Sequence, residues 1–128
     1  MWLRGVRIWL VIAALNGALA VLAGAFAVHG LSQELDARAL GIFETGARYH
    51  MYHALAMGLV ALTMQGAATR AATWSAALFL TGIILFSGSL YAFAMTGERV
   101  FAFVTPIGGV SFLAGWLLLA LAAWRSKA

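Results

Sequence analysis

Three histidines, His29, His50 and His53, are the side chains of this sequence best suited to binding a metal or moving a proton. His50 and His53 lie three residues apart, which puts them on one helical face, and Met57 and Met64 continue it. Imidazole with thioether is a copper-compatible donor set. The spacing nevertheless completes no known ligand set, and polar tips beside Tyr49 and Tyr52, with methionines filling gaps, are the better reading. A triad can be drawn from Ser87, His53 and Glu44, but no motif supports it. Ser87-Gly88-Ser89 is not a nucleophile elbow, and neither a phosphate-cradling Gly-Lys loop nor a His-Glu-x-x-His zinc motif occurs. With no cysteine, thiol nucleophiles and thiolate metal sites are excluded. The expectation is therefore no enzyme, no catalytic residue, no metal ligand and no cofactor.

The elements that must position these groups follow from composition. Of 128 residues, 64% are hydrophobic and 9% charged, against about 45–50% and about 25% in a soluble domain. So much apolar surface needs lipid to cover it, and the length suits one domain. The net charge of +4 comes from Lys and Arg scattered singly at the ends of apolar runs, not from a basic stripe, so nucleic acid is not an expected partner.

Four spans are expected, at about 8–29, 49–65, 74–96 and 106–124. The first follows Arg4 and Arg7, stops at Gly30, and is longer than the apolar core of a cleaved signal peptide. Between spans one and two, residues about 33–46 put Leu35, Ala39, Ile42 and Phe43 on one face and Glu34, Arg38 and Glu44 on the other. This predicts an interfacial helix, capped by Ser32 and followed by the second span from Tyr49 to Gln65-Gly66. Thr73 is the expected cap of span three after a linker from Ala67. Thr105 is the expected cap of span four, with Pro106 at its first position. Arg4, Arg7, Arg70, Arg125 and Lys127 then lie on one side and Arg38, Arg48 and Arg99 on the other, which predicts both termini in the cytoplasm.

In this threading His29, His50, His53, Ser87, Ser89, Tyr91 and Thr105 reach one outer level, and form either a hydrogen-bond network holding the bundle or a small outer pocket. Asn16 lies deeper, and reads as packing glue. Every Asp and Glu falls outside the spans, which disfavours ion-coupled transport. Ala13 with Gly17, Ala20 with Gly24, Ala54 with Gly58 and Ser111 with Gly115 are small-xxx-small pairs that let helices approach closely.

Several segments occur together in order: Gly24-Ala25-Phe26 with His29-Gly30-Leu31, Arg48-Tyr49-His50-Met51-Tyr52-His53-Ala54-Leu55-Ala56, Phe86-Ser87-Gly88-Ser89-Leu90-Tyr91 and Thr105-Pro106-Ile107-Gly108-Gly109. Over nearly the whole chain they resemble the YgdD/YwdK-like family of small inner-membrane proteins, domain of unknown function 423, which has relatives in animal mitochondria. The resemblance implies a four-helix membrane protein of uncharacterised activity. The chain departs from it at Ala27-Val28, where Gly-Ala is frequent, and at His50, where Gln is common. The expected fold is thus an all-α, four-helix transmembrane bundle with one interfacial helix, in a single domain 1–128. Its expected role in a cytoplasmic (inner) membrane is binding a membrane lipid, a protein partner or a second copy. A small permeation or carrier protein is the alternative, and an outer-facing metal site or enzyme requires His29, His50 and His53 to converge.

Overall fold

A computed structural model describes residues 2–64 and 69–126. Within them the chain is helical, without strands: α1 Trp2–His29, a 3-10 turn Leu31–Gln33, α2 Ala37–Thr63, α3 Arg70–Gly82, a π-helical turn Ile83–Ser87, α4 Gly88–Thr96 and α5 Arg99–Arg125. The π turn joins α3 and α4 into one rod, so the described residues form four long helices of nearly equal length. At about 1.5 Å per residue each is roughly 40 Å long, more than the roughly 30 Å of a bilayer's hydrocarbon.

Several element boundaries differ from the sequence expectation. No separate interfacial helix precedes the second span: α2 runs unbroken from Ala37 to Thr63. Asp36, not Ser32, caps it, accepting from Ala39 N at 2.8 Å, while Ser32 Oγ donates back to Val28 O at 2.7 Å. An aspartate with extended backbone just before the helix is the better acceptor. Gln65-Gly66, the expected end of the second span, and the linker start at Ala67 lie outside the described residues, as does Lys127. Thr69 rather than Thr73 caps α3, through Ala72 N. Helix α5 starts at Arg99 and carries Pro106 in its interior. Residues Phe101 to Val104 are helical, and Thr105 Oγ1 donates to Phe101 O at 3.1 Å in the turn that proline interrupts. The tight α4–α5 turn depends on Gly97 at φ +72°, a left-handed backbone that only glycine adopts without strain.

Among the described residues three helical segments are long and apolar enough to cross a membrane: Arg4–Gln33, Arg70–Thr96 and Arg99–Arg125. Helix α2 is as long but less apolar, because Arg48, His50 and His53 cluster near its midpoint. The protein is an all-α membrane protein. α1 packs chiefly along α2, and α3 packs along α5, with α2 lying between α1 and the α3–α4 rod.

Lipid tails are as apolar as the side chains, so close packing and hydrogen bonds hold these helices together rather than hydrophobic burial. Between α3 and α5, Ser75 Oγ donates to Gly115 O at 2.6 Å and Ser111 Oγ to Leu78 O at 2.7 Å. A Cβ on Gly115 would sit 2.8 Å from the Phe79 ring, so this glycine is what lets that fully buried ring fit. Where the rod widens into its π turn, the Gly108 backbone seats against it, and a Cβ there would fall on the Phe86 backbone nitrogen. Gly17, Gly24 and Gly58 are different: a Cβ at any of them would meet nothing within 4 Å. The Ser111/Gly115 pair therefore builds the bundle, while the glycines of the other three pairs face open space.

Candidate functional site

The polar residues expected at one level separate into distinct groups. His50 lies on the buried face of α2, at the middle of that helix, with Asn16 of α1 on one side and Tyr91 of α4 on the other. The Asn16 amide Nδ2 donates to Ile12 O at 2.9 Å, which turns Oδ1 toward His50 Nε2 at 3.0 Å. That nitrogen must donate, leaving His50 Nδ1 to accept the Tyr91 hydroxyl at 3.0 Å. One imidazole thereby ties three helices together.

His53, one turn further along, points elsewhere. Its Nδ1 donates to Tyr49 O at 2.7 Å, and its Nε2 accepts the Trp116 indole N–H at 3.1 Å. The ring stacks on Phe112, with centroids 3.5 Å apart and planes 6° from parallel, and Phe79 and Trp116 close round it. Ser87, fully buried, donates to Gly46 O at 2.8 Å, while Ser89 shares a 2.6 Å hydrogen bond with Thr105. His29 is exposed at the end of α1 and belongs to none of these groups.

The three histidines thus do not converge, and Met57 and Met64 are core residues. No group of three His, Cys, Asp or Glu side chains among the described residues is placed to hold a metal ion. Ser87 bonds Gly46 rather than His53, which removes the geometry a Ser87/His53/Glu44 triad would need. Among the described residues every buried side-chain nitrogen and oxygen has a partner. Asn16 and Trp116, absent from the expected cluster, are two of its principal partners. For Asn16 the signal was a lone amide in an apolar run; Trp116 read as one of five tryptophans suited to the membrane boundaries, with nothing to pair it with His53.

What the interhelical bonds leave open is a groove. An open cavity of about 390 Å³ lies between α2 and α5, beside the π turn. Tyr49, Tyr52 and His53 of α2, Phe86 of the π turn, and Phe112 and Trp116 of α5 give it an aromatic lining. Because His53 and Trp116 satisfy each other, its floor offers rings rather than free polar groups. Tyr52 and Leu113 are 53% and 65% exposed at its mouth, which marks the outward-facing side. A second, smaller cleft of about 260 Å³ lies between α1 and α2 over Ala13, Gly17, Ala54 and Gly58.

Arg48 also faces outward, as the twelfth of the 27 residues of α2, and donates to Thr45 Oγ1 at 3.2 Å. An arginine on a membrane helix costs about 2.5–3.5 kcal/mol at the bilayer centre on insertion scales and less toward the headgroups, where an anionic or wet neighbour can pair it.

Residues 23–109 match a family described as "Protein of unknown function (DUF423)". The chain belongs to this family. It is 44% identical over 121 residues to the "UPF0382 inner membrane protein YgdD" of Escherichia coli K12, covering 94% of this chain and 92% of that one. It is 45% identical over 119 residues to a UPF0382 membrane protein of Haemophilus influenzae, covering 93% and 95%. A UPF0382 membrane protein of Staphylococcus saprophyticus is 40% identical over 120 residues, covering 93% and 98%. No solved structure matches.

Proposed function

We propose that this DUF423 protein is a non-enzymatic lipid-binding protein of the cytoplasmic membrane, and that the α2–α5 groove receives an apolar chain. In this reading all four long helices cross the bilayer, α2 included, and its more polar first half ends in the outer interface. Both termini face the cytoplasm, following the five basic residues on that side against three on the other. The inner-membrane name of the Escherichia coli relative supports the same compartment.

The observation that carries the reading is the open aromatic groove at mid-helix. Its volume is within the range of ligand sites, roughly 300–1,000 Å³. The mouth opens toward lipid, and the hydrogen-bonding atoms of His53 and Trp116 are already used. A carrier or permeation role would need a continuous polar path from the His53 and Ser87 level to the cytoplasmic end. What lies in that direction instead is the apolar cluster of Met57, Val60, Met64, Ala72 and Ala76. A protein partner is the other class of occupant, and the same experiment separates it.

Native mass spectrometry of the protein released from its own membrane into mild detergent tests the reading. Wild type should retain a lipid adduct at one per chain, and Leu113→Trp, which fills the mouth without touching the core, should lose it. A bare chain in both, or an adduct indifferent to Leu113→Trp, would refute lipid binding in the groove. A co-purifying protein in place of lipid would transfer the site to a partner.

A further inference from the structure

We propose that Arg48, Tyr52 and the α2–α5 groove form one site for a phosphate-bearing lipid, with the phosphate on Arg48 and a chain laid inward along the aromatic lining. The inference rests on the lipid reading above and names its ligand class. Arg48 and Tyr52 are four residues apart, neighbours on the exposed face of α2. Among the described residues the Arg48 guanidinium bonds only the Thr45 hydroxyl, and the Tyr52 hydroxyl makes no hydrogen bond. A guanidinium carries five N–H donors in a planar fork that matches phosphate, so most of this capacity faces outward unused.

The order of groups along the helix selects a lipid. Side chains lean toward a helix's N-terminus, so Arg48 reaches back toward the outer headgroups, while Tyr49, Tyr52 and His53 begin the groove inward of it. A cation outermost, then a phenol hydroxyl, then rings, is the sequence in which a lipid of the outer leaflet presents phosphate, glycerol linkage and chain. With His53 and Trp116 bonded to each other, the groove offers a second headgroup only tyrosine hydroxyls, whereas a chain needs no polar partner. At about 390 Å³ the space suits part of one chain, with the rest of the lipid lying in the bilayer. Glu44, one turn outward and half-buried, is the nearest acid along α2, and makes a second copy the competing occupant, since Glu44 of one chain could pair with Arg48 of another.

The test is native mass spectrometry of the full chain in mild detergent, titrated separately with dioleoylphosphatidylglycerol, with dioleoylglycerol and with inorganic phosphate. Wild type, Arg48→Gln and Leu113→Trp are compared. Phosphatidylglycerol should bind once per chain, dioleoylglycerol at least tenfold more weakly, and phosphate alone should not be retained. Arg48→Gln should weaken phosphatidylglycerol at least tenfold without lowering the lipid-free unfolding midpoint, because the residue makes no core contact. Equal binding of both lipids by wild type and Arg48→Gln, with both lost in Leu113→Trp, would overturn the phosphate assignment and leave the groove standing. Retention of inorganic phosphate as tight as the lipid would replace a lipid site with a soluble-anion site. A dimer that Arg48→Gln dissociates, with no lipid adduct, would assign the residue to a second copy. No lipid on any variant would remove the groove reading as well.

Discussion

Two adjacent glycines on α5 should respond in opposite ways to the same substitution. Alanine at Gly108 puts its Cβ on the Phe86 backbone nitrogen and beside the Leu85 carbonyl carbon, where the π turn leaves no side chain to yield. Alanine at Gly109 meets only the Phe86 ring, at 3.8 Å, an ordinary contact. Both changes gain the same roughly 0.5–1 kcal/mol of helix propensity, which cancels between them. The remaining difference is overpacking at Gly108, about 1–3 kcal/mol and toward the upper end because backbone meets backbone. Unfolding in mixed micelles with increasing dodecyl sulfate, followed by tryptophan fluorescence, reads it directly. Gly109→Ala should match or slightly exceed wild type, and Gly108→Ala should fall below both. Midpoints for the two variants agreeing within about 0.5 kcal/mol would refute the seating of Gly108 in the π turn.

The other predictions are smaller or local. Ser75→Ala, which loses the bond to Gly115 O, should destabilise by about 0.6–1.7 kcal/mol in the same titration; no change would mean that bond is incidental. Asn16→Leu leaves the His50 Nε2–H unpaired, and should cost about 1–3 kcal/mol. An Asn16→Leu/His50→Leu double variant should recover part of that loss, whereas strict additivity would deny the coupling. Since the chain has no cysteine, single cysteines report orientation cleanly. Ser126→Cys should react with an impermeant maleimide only after the cells are opened and Gln33→Cys before, and the reverse pattern would invert the topology.

The sequence made the helical, lipid-exposed character of the chain plain, because four long apolar runs of this composition have no soluble alternative. The boundaries were harder. The charge pattern from Glu34 to Arg48 suggested a separate interfacial helix, but amphipathicity reports which face is wet, not whether the backbone continues. Nothing between Gly46 and Tyr49 breaks it, and α2 runs through. Pro106 was read as a helix start because proline favours that position, yet α5 begins a full two turns earlier, at Arg99, and carries the proline in its interior, as membrane helices often do. Residue types in the polar cluster were visible, but their partners depend on rotation about each helix axis: His50 and His53, read onto one face, reach Asn16 and Trp116 on opposite sides of α2. The groove was illegible, since its lining comes from α2, the π turn and α5, residues far apart in the chain whose juxtaposition no local pattern encodes.

Whether a lipid chain lies between α2 and α5 is tested most directly by photocrosslinking in the native membrane. Cells fed a fatty acid with a diazirine near its methyl end would be irradiated, and the labelled residues of the purified protein mapped by peptide sequencing. Labelling should concentrate on Tyr52, Phe112, Leu113 and Trp116, and fall sharply in Leu113→Trp. Labelling spread evenly over the lipid-facing residues of the other helices, Val11, Leu15 and Ile84 among them, with no excess in the groove, would contradict a lipid chain there.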